Sequence, residues 1–180
     1  MLYFRQKSDD NQMPILKQDL LNRLIWSVFD SIDDIRVLDD PNDLSSESRP
    51  FSGHPIALEH VTNYALRTML VTEGVLGLKE ESFSELLDEW NAPVLTVARD
   101  DNEPITIGDF VMQVHTWLQS QKQEILEFEE EMTGKIHAEF KYMYCGWVWV
   151  PSLEDLELDF ENQSFQLHLQ PRGLTGERQV

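Results

Sequence analysis

The chain has 180 residues, with 33 acidic against 14 basic side chains and a formal net charge of −19. That balance argues against direct nucleic-acid binding, which requires clustered Lys and Arg, and disfavours docking on anionic membranes. It favours water, counterions and any partner with a basic face.

The acid is concentrated in blocks. Residues 30–47 carry seven acids against Arg36, and residues 79–103 carry eight against Lys79 and Arg99. Residues 122–131 hold five Glu against Lys122, and residues 154–161 hold five acids and no base. The rest of the chain is close to neutral. A hydrophobic content of 41% with five Trp and nine Phe implies a packed core, and the length fits a single domain over 1–180. The single cysteine, Cys145, excludes an intramolecular disulfide and a cysteine-based zinc site. No apolar run of signal-peptide or membrane-spanning length occurs, so a soluble, cytoplasmic protein is expected.

The first periodic segment runs from Pro14 to Ile35. Leu16, Leu20, Leu24, Val28 and Ile32 form an i, i+4 row, which predicts a long amphipathic helix. Residues 36–54 are rich in Asp, Ser and Pro and read as an acidic loop. Pro55 then opens a predicted second helix, with Leu58, Val61, Ala65 and Met69 on its stripe and Gly74 and Gly77 closing it. Ser82 and Glu85 form an expected capping box for a short third helix ending near Trp90. Val94 to Ala98 is short, β-branched and bounded by Pro93 and Asp100, as a strand would be.

Thr106 and Asp109 predict the start of a fourth helix, whose stripe runs from Ile107 through Phe128 toward Gly134. The period then becomes two. Residues 136–150, 156–161 and 164–170 read as three strands, with a bulge at Gly146 and a flexible tail over 171–180. The expected fold is α+β, with about four helices packed on a C-terminal antiparallel meander of three or more strands.

No nucleophile, nucleotide or metal motif is present, and Gly74-Val75-Leu76-Gly77 lacks the third glycine of a dinucleotide-binding loop. Asp30, Asp33 and Asp34 share one predicted helix face with Asp39, Asp40 and Asp43 beyond. They are the weak metal candidates, with His54 or His60 as acid or base of a metal-dependent hydrolase. Solvated carboxylates are the simpler account. His115, between Val114 and Trp117, is expected as a hydrogen-bonded core histidine. Trp147 and Trp149, with Tyr142 and Tyr144, either fill core volume or line a small-ligand site.

Two patterns point to a partner. Asp155, Glu157, Asp159 and Glu161 alternate along one predicted strand, and Glu127, Glu130 and Glu131 crowd the negative end of a helix dipole. Both suit docking of a basic protein. The reading is a non-enzymatic acidic interaction protein (adaptor, inhibitor, or antitoxin or immunity type) without cofactor, nucleic-acid or membrane contacts. A DNA mimic fits less well, because the acids fall in four blocks.

Overall fold

The computed structural model describes residues 16–43, 45–83, 90–134, 141–149 and 163–172. At 83, 141, 143–149, 163, 164 and 170–172 it describes the backbone alone. Within these residues the class is α+β, but the architecture differs from the expected one.

The predicted helix over Pro14–Ile35 is replaced by several short elements. Helix α1 covers only Gln18–Leu21, strand β1 is Leu24–Ile25, and a 3₁₀ turn spans Ile32–Asp34. From residue 24 to residue 29 burial alternates, with Leu24, Trp26 and Val28 inside. This run is rich in β-branched and aromatic side chains, which suit an extended backbone. Strands β2 (Arg36–Leu38) and β3 (Ser48–Pro50) flank the acidic stretch and pair antiparallel, so β1-β2-β3 is a small sheet. Between them, the Asp40 and Asp43 carboxylates accept the backbone N–H groups of Asn42 at 2.8 Å and Ser45 at 2.9 Å, closing local turns.

The second predicted helix is also corrected. Pro55 opens a single 3₁₀ turn, Pro55–Leu58, capped by the His54 ring. Thr68–Glu73 is strand β4, in which Met69, Val71 and Glu73 are buried and alternate with half-buried Thr68, Leu70 and Thr72. Gly74 therefore starts helix α2 (Gly74–Phe83) instead of ending one. Ser82 lies inside α2 and donates its hydroxyl to the Leu78 carbonyl at 2.8 Å, so it is not a helix cap. The remainder of the predicted third helix, 84–89, is outside the described residues.

The later elements follow local signals. Strand β5 is Leu95–Ala98. Helix α3 spans Ile107–Thr133; Thr106 and Asp109 form a reciprocal capping box at its start, and Gly134 ends it with φ of 65°. Strands β6 (Lys141–Trp149) and β7 (Gln163–Arg172) pair antiparallel, with a register shift between Cys145 and Trp149 around Gly146.

The C-terminal meander is overturned as the organising unit. Strand β7 has β6 on one side and β4, in parallel, on the other, giving a four-stranded mixed sheet in the order β5-β4-β7-β6. Three α-helices, one of them a single turn, occur among the described residues where about four were expected. The alternating pattern does mark β7, but the second edge of that strand pairs with β4, some ninety residues earlier in the chain. The predicted strand 156–161 lies outside the described residues.

One core joins both sheets and α3. It includes Val97 of β5, Met69 and Val71 of β4, Phe165 and Leu167 of β7, and Phe110, Val114, Leu118, Ile125 and Phe128 of α3. Residues 26–30 bind the small sheet to this body. The Val28 N–H donates to the Tyr142 carbonyl at 2.8 Å, and Gln119 Nε2 donates to the carbonyls of Val28 and Asp30. Trp26 Nε1 donates to His115 Nδ1 at 3.1 Å.

Candidate functional site

The C-terminal turns of α3 carry Glu124, Glu127, Glu129, Glu130 and Glu131, with no basic residue in the last turn. Helix termination leaves carbonyls and about half a negative charge at this end, where carboxylates are least favourable. Gly134 turns into the left-handed region and its N–H closes on the Glu130 carbonyl at 2.8 Å, which fixes the end of the helix beside its acids.

Two lysines belong to this region: one is taken up by Glu124, the first of these acids, and the other lies over an aromatic ring. Lys79 of α2 pairs with Glu124, 5.2 Å from the Trp90 ring centroid and 5.9 Å from that of Phe128. Lys122 sits 5.4 Å from the Phe29 ring centroid. Glu127, Glu130 and Glu131 are exposed and make no ion pair among the described residues. Glu127 instead accepts a hydrogen bond from Gln123 Nε2 at 2.7 Å. The opposite end of α3 is different. There Asp109 accepts from Thr106 and Arg99, and Arg99 also grips Asp101, whose carboxyl is lowered to about 2 by that bond. Charge is therefore matched at the start of α3 and left unmatched at its end.

Of the other sequence-based candidates, Asp155, Glu157, Asp159 and Glu161 lie outside the described residues. Trp147 and Trp149 have their backbone in β6, and their side chains lie outside the described set. Trp117, at the edge of the α3 stripe, is only partly buried against the core.

The structure does not bring the Asp30–Asp43 group together. Asp33 and Asp34 are exposed, Asp39 lies 3.6 Å from Arg49, and Asp40 and Asp43 hold their own turns. His54 accepts the Ile56 N–H at 3.1 Å; burial, then Arg23 and Arg49, hold it below its ordinary pKa. His60 is exposed in a bridge to Thr106. No three His, Cys, Asp or Glu residues converge as a metal site among the described residues.

Two buried polar groups were not read as sites from the sequence. His115 is buried as expected, and its partner Trp26 falls within the stretch Pro14–Ile35 that the periodicity predicts as helix. The ring accepts Trp26 Nε1–H on Nδ1 and meets the Asp30 backbone with its other nitrogen, so it is the neutral Nε2–H tautomer. Burial lowers its pKa. Glu73 is wholly buried at the end of β4, where burial raises its carboxyl to about 7. Its position in the Met69, Val71, Glu73 alternation was the available signal. Gly74 does follow a strand and open a helix, but Glu73 Oε2 already occupies that helix start, accepting Leu76 N–H at 3.0 Å.

No family model matches the chain, and no curated protein or solved structure matches it. Among the described residues, no helix is long and apolar enough to cross a membrane.

Proposed function

We propose that the protein is a non-enzymatic docking protein that captures a basic protein partner through the acidic C-terminal turns of α3. The observation that carries this reading is the set of exposed carboxylates of Glu127, Glu130 and Glu131, without an ion pair among the described residues, at the negative end of a 27-residue helix, with Lys79 held by Glu124 and Lys122 over Phe29. Exposed like charges at this end repel one another weakly in salt, so the fold tolerates them. A cationic surface converts that repulsion to attraction and accelerates encounter by roughly ten- to a thousandfold. The alternating acids of residues 155–161 are the second contact proposed for the same partner. The role is that of an adaptor, inhibitor or immunity-type protein acting in the cytoplasm.

A defined probe tests this. Titrating the isotopically labelled protein with an octalysine peptide should shift the amides of residues 123–134 first, with the response fading as salt is raised. Equal shifts over the 30–47 acidic stretch and α3 would show that the peptide reads net charge, not this helix end.

A further inference from the structure

Strand β4 runs into α2 with no intervening loop, and Glu73 is the last residue of the strand. The joint lies tight against β7: a side chain at Gly74 would meet the His168 ring at 2.8 Å and the Leu167 carbonyl at 3.2 Å. Glu73 Oε2 caps the first turn of α2, while Oε1 is buried without a hydrogen-bond partner among the described residues. Burial disfavours the carboxylate relative to the neutral acid, and it outweighs the opposing pull of the Gly74, Val75 and Leu76 backbone N–H groups.

The surroundings offer no cation to offset a charge there. From α3, Glu129 adds like charge. From α2, Lys79 is committed to Glu124, and Glu80 and Glu81 lie beyond it along the helix. From β6 comes Tyr142, whose hydroxyl is kept protonated by burial and then by Glu129. Leu167 of β7 pairs with Glu73, and its neighbour His168 lies against Gly74. Strand β5 contributes no titratable group, and Arg99 just beyond it is bound to Asp101 and Asp109.

We propose that Glu73 is a proton-operated latch on the β4–α2 joint: the neutral acid holds α2 closed, and ionisation drives the first turn of α2 open toward water. Helix α2 suits such motion, since glycines at 74 and 77 weaken a ten-residue helix. Opening that spreads into the second turn of α2, where Lys79 sits, would also loosen its pair with Glu124 and add a carboxylate to the acidic end of α3. That consequence rests on the docking reading, whereas the latch does not.

With a folded pKa of about 7 against the ordinary 4.5, opening becomes easier as pH rises through that window and levels off above it. The test is to follow the Glu73 side-chain carboxyl by carbon NMR, together with amide exchange at Val75 and Leu76, corrected for intrinsic base catalysis, from pH 4 to 8. The wild-type carboxyl should titrate near neutrality, and the opening constant should rise roughly eightyfold between pH 4.5 and 7. In Glu73→Gln the opening constant should be flat, and in Glu129→Gln the midpoint should fall. A wild-type carboxyl that titrates below pH 5 overturns the latch without any variant. So does an opening constant with the same pH dependence in wild type and Glu73→Gln.

Discussion

Replacing Trp26 by Phe tests how the small sheet is held to the body. Trp26 is fully buried; its ring stacks on His115 with centroids 6.3 Å apart and meets Phe110 edge-on at 6.4 Å. The substitution removes the Nε1–H and leaves His115 Nδ1 buried without the Trp26 donor. An unsatisfied buried acceptor costs about 1–3 kcal/mol, and the lost ring volume adds about 1–2 kcal/mol through transfer and cavity terms. We expect a total loss of ~2–5 kcal/mol in urea unfolding at unchanged m-value. In Trp26→Phe/His115→Leu the orphaned acceptor is gone, so the double variant should lose at least about 1 kcal/mol less than the sum of the singles. The pH dependence follows from the neutral histidine. Its folded pKa lies below 6.5, so its contribution is complete above pH 6.5 and is lost as pH falls through the folded value. The His115→Leu variant should lack that acid-side loss. Full additivity, or a Trp26→Phe cost below about 0.5 kcal/mol, would refute the assignment of this contact as the tie between sheet and helix.

Thr106→Ala removes one half of the α3 capping box and should cost about 1–2 kcal/mol in thermal unfolding, with less helical signal lost than stability. Gly108→Ala places a methyl 2.9 Å from the Ala57 carbonyl oxygen, so α3 and the Pro55–Leu58 turn must part; we expect a loss of ~1–3 kcal/mol, measured by urea unfolding, although alanine is the better helix former.

Local signals explain what was legible. Thr106, Asp109 and Gly134 define both ends of α3, and the stripe between them has one period, so helix, caps and acidic end were all readable. His115 was placed correctly because it falls beside that stripe. The segment 24–29 satisfied two periods at once: Leu20, Leu24 and Val28 fit a helix, while Leu24, Trp26 and Val28 fit a strand. Pairing with β2 and the bond from Trp26 to His115, eighty-nine residues away, decide between them. Strand β4 was hidden similarly, because its partners β5 and β7 come later in the chain. Glu73 was invisible as a buried acid until β4 placed it on the apolar register. The engagement of Lys79 by Glu124 and of Lys122 by Phe29 is also tertiary, and it is what leaves the end of α3 unmatched.

The docking claim is tested most directly by association kinetics with an immobilised octalysine surface, comparing wild type with Glu127→Gln/Glu130→Gln/Glu131→Gln at low and physiological salt. All three side chains are exposed, so the variant should fold with equal or slightly greater stability. The account predicts that its association rate falls at least about tenfold at low salt, with the difference shrinking as the Debye length drops toward ~8 Å. An association rate equal to that of wild type at low salt would contradict it.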